Sequence, residues 1–284
     1  MTGIFRVACI QNCATPRVEE NTRRALALTR AAAADGASLV CLPEYFSGLE
    51  TDGARIHPVA YPEVEHPVLP AFAEQARERD IWILLGSLGI STDDGKILNR
   101  SYLLNGAGEI VARYDKIHMF DVNLGAGKEY RESATIAPGA RAVVAETPWA
   151  RLGLTICYDL RFAALYRTLA KAGATILAVP AAFTRLTGEA HWHILNRARA
   201  IETGSFVIAP CQYGTLHGGG ECYGHSLIID PWGRVLADGG TEEGFVAADL
   251  EMAEVEKARG RIPSLAHDRP FELNGAGYTD QRKS

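Results

Sequence analysis

The strongest constraint on how this chain folds is the alternation of short apolar segments with amphipathic ones along almost its whole length. An apolar segment at residues 5–10 precedes an alanine-rich amphipathic one at 18–34, and the same order returns at 152–157 and 160–172. Short apolar runs predict buried strands, and the longer amphipathic segments predict helices. This β-α-β order indicates a mixed α/β fold.

Other segments extend the pattern through the rest of the chain. We predict further helices at residues 69–80 and 189–202, and further strands at 38–42, 81–88, 101–105, 109–114, 175–179, 206–210, 225–230 and 245–248. Gly106 and Gly108 between two of these strands predict a hairpin, so the sheet cannot be purely parallel. No linker-like stretch divides the 284 residues, so we expect one domain covering the chain, with a polar C-terminal arm from residue 261.

Composition argues against several kinds of partner. The chain has 29 Lys and Arg against 34 Asp and Glu, a net charge of −5, and no basic cluster. Binding to nucleic acid or to an anionic membrane depends on clustered cations, so we expect neither. No apolar run reaches the roughly 18 residues of a membrane span, and no signal-peptide pattern is seen. Six cysteines are too sparse for a disulfide scaffold, so we predict reduced thiols in a cytoplasmic protein.

The strongest local indication of chemistry is the segment Leu-Gly-Leu-Thr-Ile-Cys-Tyr-Asp-Leu-Arg-Phe at residues 152–162. An apolar strand ends at Cys157, and a helix is predicted to begin within a few residues. A thiol beside the N-terminus of a helix has a lowered pKa, and free backbone N–H groups there can bind an oxyanion. The segment alone leaves open that Cys157 only packs at the strand end.

Glu44 and Lys116 also follow predicted strands, in Cys-Leu-Pro-Glu-Tyr-Phe and Arg-Tyr-Asp-Lys-Ile-His. Functional groups of α/β sheets gather at the carboxyl ends of strands. A buried glutamate there can act as a general base, and a lysine can hold an oxyanion as a fixed cation. Taken singly, each residue fits a solvated position at the end of a strand better than a catalytic one.

The three motifs in this order resemble the nitrilase superfamily of carbon–nitrogen hydrolases. The resemblance extends over nearly the whole chain, from Val-Ala-Cys-Ile-Gln-Asn-Cys at residues 7–13 to the segment 261–270. It implies a four-layer α-β-β-α sandwich. It also implies that Cys157 is acylated, that Glu44 is the general base and that Lys116 stabilises the tetrahedral intermediate. A second family glutamate matches Glu132, which would support the lysine.

This catalytic set implies a thiol hydrolase of non-peptide C–N bonds. Glu44 would take the thiol proton as Cys157 attacks the carbonyl, while Lys116 and the backbone N–H of Tyr158 hold the oxyanion. Ammonia or an amine would then leave, and water activated by Glu44 would hydrolyse the Cys157 thioester. We expect neither a metal nor an organic cofactor.

Further segments are similar to the Nit subgroup, which contains deaminated-glutathione amidases and ω-amidases. They are Gly-Glu-Ala-His-Trp at 188–192, Arg-Ala-Arg-Ala-Ile-Glu at 197–202 and Tyr-Gly-His-Ser at 223–226. The resemblance implies an α-keto acid amide as substrate, deaminated glutathione first and α-ketoglutaramate as the alternative. It also implies a homodimer, and binding of the substrate carboxylate at Arg161, Phe183 and Thr187. An arginine suits this task because its planar guanidinium can form two hydrogen bonds to a carboxylate. The loop 211–222 departs from the subgroup pattern and leaves the exact amide open.

Other interpretations of the sequence are weaker or stay open. A serine hydrolase would need a Gly-x-Ser-x-Gly motif, which the chain lacks. A zinc site would need His191 and His193 to share an ion, but residues two apart on a helix point to different faces. Cys222 and His225 have no second pair at finger-like spacing. A catalytically silent scaffold is the alternative outside enzymes, while a nitrilase or an N-carbamoyl amine amidohydrolase would use the same catalytic residues.

Overall fold

The computed structural model describes residues 3–52, 55–125 and 129–272. In this part of the chain five α-helices form: α1 Val18–Ala34, α2 Val68–Arg79, α3 Ala163–Lys171, α4 Arg185–Thr203 and α5 Ala253–Arg261. The same residues form twenty strands: β1 Ile4–Gln11, β2 Leu39–Cys41, β3 Leu49–Thr51, β4 Ile56–Pro58, β5 Ala60–Tyr61, β6 Trp82–Ser91, β7 Ile97–Leu104, β8 Ile110–Asp115, β9 Asp121–Asn123, β10 Glu129–Arg131, β11 Ile136–Ala137, β12 Val143–Glu146, β13 Arg151–Leu154, β14 Ile176–Ala178, β15 Phe206–Ala209, β16 Tyr213–Thr215, β17 Glu221–Tyr223, β18 Leu227–Ile229, β19 Val235–Asp238 and β20 Gly244–Glu251.

The first large sheet contains eight strands in the order β11-β7-β6-β2-β1-β20, with β5 beside β6 and β8 beside β7. Its centre is parallel, because β1, β2 and β6 run in the same direction. On either side of that centre the pairing is antiparallel, between β6 and β7 and between β1 and β20. The predicted hairpin is confirmed, since β7 and β8 pair antiparallel across residues 105–109.

The second large sheet contains six strands in the order β12-β13-β14-β15-β18-β19. The central strands β13, β14 and β15 are parallel. Antiparallel strands flank them, β12 on one side and β18 followed by β19 on the other. Both sheets therefore have a parallel centre between antiparallel flanks, as the mixed pattern of the sequence predicts.

The two sheets pack face to face, and helices cover both outer faces. Along β1, Val7 and Cys9 belong to the core shared with the second sheet, whereas Ala8 and Ile10 belong to the core under α1 and α2. This follows from the alternation of side chains between the two faces of a strand. On the other side, α3 and α4 contact strands of the second sheet. The predicted four-layer α-β-β-α sandwich is confirmed.

Several element boundaries differ from the prediction. The strand predicted to reach Cys157 stops at Leu154, and the helix predicted at residues 160–172 begins only at Ala163. Between them, Cys157–Arg161 form a tight 3₁₀ turn. The buried Asp159 carboxylate accepts the backbone N–H of Ile156 at 2.9 Å, a local bond that competes with a continuous helix. Helix α4 begins at Arg185 rather than at residue 189, which puts Thr187 on the helix.

The C-terminal region begins with a helix that the sequence did not predict. Helix α5 ends at Arg261 and buries Val255 and Ala258. The described part of the predicted arm, residues 262–272, contains neither helix nor strand, and its Asp268 accepts hydrogen bonds from two basic side chains of α3. No described helix combines the length with the apolar character that crossing a membrane requires.

Candidate active site

All four predicted catalytic side chains lie at one buried location. Glu44 follows β2, Lys116 follows β8, Glu132 begins a short 3₁₀ turn after β10, and Cys157 follows β13. Their relative exposures are 3%, 2%, 5% and 8%, in that order. Three of them, Glu44, Lys116 and Cys157, line the same pocket. The fold therefore brings together residues that the sequence places on separate strand ends.

The carboxylate of Glu44 is held by donors from three parts of the chain. Its Oε1 accepts from Asn99 Nδ2 at 2.8 Å and from Lys116 Nζ at 3.0 Å, and its Oε2 accepts from the backbone N–H of Ala182 at 2.8 Å. The Gln212 side chain donates to the backbone carbonyl of Glu44 at 2.8 Å. These bonds fix one orientation of the carboxylate, which a general base requires.

Lys116 lies between two carboxylates. Its Nζ is 2.9 Å from both oxygens of Glu132 and 3.0 Å from Oε1 of Glu44. Burial by itself lowers the pKa of Lys116, but the negative charges of Glu132 and Glu44 outweigh it and raise that pKa well above its usual value. Burial raises the pKa of Glu132, against the opposing effect of Lys116. The lysine is therefore a permanent cation in a fixed position.

Cys157 has a backbone conformation that few side chains adopt. Its φ is +48°, in the left-handed region. The N–H of Cys157 donates to the carbonyl of Pro180 at 2.9 Å, which ties the turn to the neighbouring strand end. Asp159, which orders the same turn, also accepts the Tyr114 hydroxyl at 2.7 Å. The surrounding contacts, rather than the residue's own preference, set the direction of the thiol.

The protonation state of the thiol differs from the prediction. Burial, followed by the negative charge of Glu44, raises the pKa of the Cys157 thiol well above its usual value, although Lys116 opposes this. The predicted lowering of this pKa is wrong because a 3₁₀ turn replaces the expected helix N-terminus and carboxylates surround the sulfur. The thiol is therefore protonated at neutral pH, and a base would have to remove its proton for it to act as a nucleophile.

The pocket beside the thiol is small and mostly apolar. Its empty volume is about 350 Å³, and its walls are formed by Glu44, Ile56, Lys116, Phe120, Cys157, Tyr158, Ala182, Phe183, Thr184 and Thr187. Two of the predicted substrate-binding residues, Phe183 and Thr187, are among them. The Thr187 hydroxyl lies 2.8 Å from that of Thr184. Glu132 does not line the pocket, and its carboxylate contacts Lys116.

Arg161, the third predicted substrate-binding residue, lies at the margin of the pocket. Its guanidinium carbon is 5.5 Å from the ring centroid of Phe183 and 5.8 Å from that of Tyr158. Its Nη1 is 3.3 Å from Nδ1 of His191. Among the residues that the structure describes, no carboxylate forms an ion pair with Arg161. A half-buried cation beside the pocket is therefore available to an anionic group of a ligand.

Comparison with known proteins identifies the family of this chain. The family model described as "Carbon-nitrogen hydrolase" matches residues 6–260. This chain belongs to the carbon–nitrogen hydrolase family. The resemblance carried by the three motifs is thereby confirmed. Together with relatives named as amidases, the family makes this protein a hydrolytic amidase.

Two relatives among the curated proteins carry specific names. A deaminated glutathione amidase of Synechocystis sp. is 38% identical over 268 residues, which are 93% of this chain and 97% of the relative. An omega-amidase of Homo sapiens is 35% identical over 265 residues, which are 93% of this chain and 95% of the relative. This carbon–nitrogen hydrolase is thus similar to both kinds of amidase along almost its whole length.

Solved structures share the fold. The NitFhit protein of C. elegans superposes with a TM-score of 0.85 at 30% identity, covering 94% of this chain and 66% of that longer chain. A variant of the amidase from Nesterenkonia sp. AN1 superposes with a TM-score of 0.74 at 25% identity, covering 93% of this chain and 96% of the other. In that structure the acetamide moiety of fluoroacetamide is covalently added at the active-site cysteine.

Sequence reasoning missed the residues that hold the catalytic side chains in place. Asn99 and Gln212 lie in segments without a recognisable motif, and Ala182 contributes only its backbone N–H. Asp159 had a signal, because it lies in the same Cys-Tyr-Asp segment as Cys157. Its role depends on the distant Tyr114, which only the fold brings into contact.

The loop 211–222 does not form a wall of the catalytic pocket. It contains the antiparallel hairpin of β16 and β17. Gly220 and Glu221 from this hairpin line a neighbouring surface cleft that shares Thr184 with the pocket. Gly218 has a φ of +82°, and a Cβ there would lie 1.7 Å from the carbonyl oxygen of Thr51. Gly220 therefore lies in the wall of the outer cleft, whereas Gly218 lets the loop pack closely against β3.

His191 and His193, which a shared zinc ion would have to bring together, lie apart, as the helical spacing predicts. His191 faces Arg161, whereas Nε2 of His193 lies 3.0 Å from Oδ2 of Asp238. Cys222 is buried, at 4% exposure, and packs with a different cluster of side chains. His225 lies apart from Cys222 and contacts the same Asp238 as His193, with Nδ1 at 2.8 Å from Oδ1.

Proposed function

We propose that this carbon–nitrogen hydrolase cleaves the amide of a small carboxylate-bearing substrate through a thioester on Cys157. The observation that carries the proposal is the convergence of Glu44, Lys116 and Cys157 in the walls of one pocket. A protonated thiol, a carboxylate fixed beside it and a buried cation are the three groups that acyl transfer to a cysteine needs. Glu132 contributes by holding the cation in place.

The reaction proceeds in two halves. Glu44 takes the proton of the Cys157 thiol as the sulfur attacks the carbonyl, and Lys116 with the backbone N–H of Tyr158 stabilises the oxyanion. The C–N bond then breaks, and the proton held by Glu44 passes to the leaving nitrogen, so that ammonia or an amine departs. Glu44 next takes a proton from water, which attacks the thioester. The C–S bond breaks, the thiol regains a proton, and a carboxylic acid is released.

A free carboxylate on the substrate would bind Arg161. The guanidinium stands at the margin of the pocket, lies over Phe183, and forms no ion pair with a described residue. A charge-assisted bond to a carboxylate contributes about 1.5–3 kcal/mol. Phe183 and Thr187 would contact the carbon chain between that carboxylate and the scissile amide. This arrangement favours α-keto acid amides, which carry a carboxylate at a fixed distance from the amide.

Deaminated glutathione is the first candidate substrate. Its amide nitrogen carries a cysteinylglycine extension, which needs room beyond a pocket of this size. The neighbouring cleft supplies that room, since it shares Thr184 with the pocket and is lined by Tyr130, Arg185 and Glu221. The similarity to the Synechocystis deaminated glutathione amidase supports the same choice.

The second candidate is α-ketoglutaramate, the substrate type of ω-amidases. The small, mostly apolar pocket favours it, because this amide has no extension and needs only the pocket itself. The similarity to the human omega-amidase supports it as well. A true nitrilase or an N-carbamoyl amine amidohydrolase would use the same catalytic groups, so the assay must include those substrates.

A panel assay separates these substrates. Purified protein is incubated with deaminated glutathione, α-ketoglutaramate, an asparagine-like amide, an N-carbamoyl amine and an aliphatic nitrile, and both the freed amine or ammonia and the acid product are measured. We expect the highest kcat/KM on deaminated glutathione. Arg161→Ala should lower kcat/KM on the keto acid amides by about 10- to 100-fold. Arg167→Ala, whose partner is Asp268, is the matched control and should change nothing.

Two results would contradict the proposal. Equal losses on an uncharged aliphatic amide and on keto acid amides would remove the carboxylate role of Arg161. Intact-mass spectrometry during turnover should find the acyl adduct on Cys157, and Cys157→Ser should abolish both adduct and turnover. Labelling that falls mainly on another cysteine would refute the nucleophile.

We further propose that the protein is a single-domain homodimer of the cytoplasm. All six cysteines are free, which fits a reducing compartment. Helix α4 exposes Leu186, Ile194 and Ile201, with 55%, 67% and 52% of their surfaces in solvent, at spacings that put them on one face. An exposed apolar face of this kind favours a second copy as partner. Sedimentation should show a dimer at micromolar concentration and a monomer for Ile194→Glu.

A further inference from the structure

Outside the catalytic pocket, two histidines and a carboxylate converge at the surface. His193 lies on α4, His225 lies between β17 and β18, and Asp238 is the last residue of β19. His193 Nε2 is 3.0 Å from Oδ2 of Asp238, and His225 Nδ1 is 2.8 Å from Oδ1. The ligand atoms of all three lie within 4.8 Å of one another. We propose that these residues bind one divalent transition-metal ion such as Zn²⁺.

The ligand set selects this class of ion. Two imidazole nitrogens and one carboxylate oxygen suit Zn²⁺, Co²⁺ and Ni²⁺, whereas Mg²⁺ and Ca²⁺ prefer oxygen alone and Cu⁺ prefers sulfur. In a tetrahedral zinc site with bonds of about 2.1 Å, neighbouring ligand atoms lie about 3.4 Å apart. The present contacts, 3.0 Å from His193 to Oδ2 of Asp238 and 2.8 Å from His225 to Oδ1, are shorter than that spacing by about 0.5 Å, so the side chains would move slightly apart around an ion. The ion would take the place of the hydrogen bonds between the rings and the carboxylate.

The three ligands are held in position without the ion. The backbone N–H of His225 donates to the carbonyl of Gly240 at 2.6 Å, and its carbonyl accepts the indole N–H of Trp192 at 2.8 Å. Since Trp192 precedes His193 on α4, the helix places both. Gly240 also donates its backbone N–H to Oδ1 of Asp238 at 2.9 Å. An ion therefore binds a preformed arrangement and orders few further groups.

The aromatic surroundings and the open side of the cluster complete the site. The Tyr223 ring stacks on His225 with centroids 4.4 Å apart, which restricts rotation of the imidazole. The side chains of His193, His225 and Asp238 are 32%, 24% and 35% exposed. Water can therefore reach the ion and fill the remaining coordination position, as in zinc sites with three protein ligands.

The bound ion would fasten α4 to the second sheet. His193 is the ligand from the helix, while the other two come from the ends of strands in or beside that sheet. The same helix carries Thr187, which lines the catalytic pocket. The site shares no residue with the catalytic groups, so its ion takes no part in acyl transfer on Cys157.

Titration of the intact protein with Zn²⁺ and Co²⁺ tests the proposal. Calorimetry should give one ion per chain, and the absorption of the Co²⁺ complex should show nitrogen and oxygen ligation without a thiolate charge-transfer band. His193→Gln and Asp238→Asn, which change shape little, should each weaken binding by about tenfold or more. His191→Ala, on the same helix but outside the cluster, should bind as the unaltered protein does. Saturating Zn²⁺ should raise the thermal midpoint by about 5 °C.

Three outcomes would overturn the metal site. A thiolate band that disappears in Cys157→Ser would move the ion to the catalytic sulfur. Equal affinity in the unaltered protein, His193→Gln and Asp238→Asn would place the ion elsewhere. Absence of binding by the folded, active protein would leave the cluster as a hydrogen-bonded group only.

Discussion

Replacing Glu44 by glutamine separates the two ways in which this residue acts on Cys157. Glu44→Gln keeps the size of the side chain but removes both the base and the negative charge. Loss of a general base lowers kcat/KM by about 10²- to 10⁴-fold, equivalent to about 3–5 kcal/mol of barrier. The Glu44 charge is one of the causes that raise the pKa of the Cys157 thiol. Its removal should therefore let iodoacetamide label Cys157 at lower pH, even as turnover is lost.

The same substitution has a predictable cost in stability. The glutamate now accepts bonds on both oxygens, from Lys116 and Asn99 on one and from Ala182 on the other. A glutamine presents an NH₂ group to one of these donors, which costs about 1–3 kcal/mol. The urea midpoint should report this loss.

The matched control is Asn99→Ala, which removes one donor but leaves the base. It should lower kcat/KM by only about tenfold, the effect of one hydrogen bond. Steady-state assays and alkylation rates across pH, followed by intact mass, measure both properties. Turnover by Glu44→Gln within tenfold of the unaltered protein would refute the role of Glu44 as general base. A shift of Cys157 labelling to higher pH would refute the claim that the Glu44 charge raises the pKa of the thiol.

Three further predictions follow from the buried groups. Glu132→Gln removes one of the two carboxylates that hold Lys116 and should lower kcat by about 10²-fold with little change in KM, in steady-state assays. Burial raises the pKa of Cys211 to about 12 and that of Cys9 further. Because unfolded thiols ionise above about pH 8.5, each of these cysteines should lower the free energy of unfolding by about 2 kcal/mol at pH 10. Equal urea midpoints at pH 8 and pH 10 would contradict this. Cys157→Gly should melt above Cys157→Ala in calorimetry, since the φ of +48° suits glycine.

The layers of the fold could be predicted from the sequence because strand geometry imposes them. Residues 7 and 9 point to one face of β1 and residue 8 to the other, so an uninterrupted apolar run already predicts a strand covered on both faces. Boundaries fixed by distant contacts could not be predicted. The turn at Cys157–Arg161 depends on Asp159, which binds Tyr114, 45 positions away in the chain.

The candidate site shows the same division. Order and spacing of motifs predicted which residues converge, whereas the pKa of the thiol depends on burial and on the approach of Glu44, which are properties of the packed molecule. Asn99 supports that glutamate from 55 positions away without any local pattern. The contact between Asp238 and His193 could not be predicted either, because 45 positions separate the two residues in the chain. Local motifs identify reactive groups, and the fold decides their partners.

The protonated state of the resting thiol also bears on how this enzyme withstands oxidants. Peroxides convert thiolates to sulfenic and then to irreversible sulfinic acids, and they act on neutral thiols far more slowly. Cys157 is 8% exposed, and burial with the charge of Glu44 raises the pKa of its thiol, which favours the neutral form. Under the proposed mechanism, Glu44 takes the thiol proton only as the sulfur attacks an amide, so no standing thiolate is expected in the empty pocket. An idle enzyme of this design should retain its activity through an oxidative burst that inactivates hydrolases with a standing thiolate.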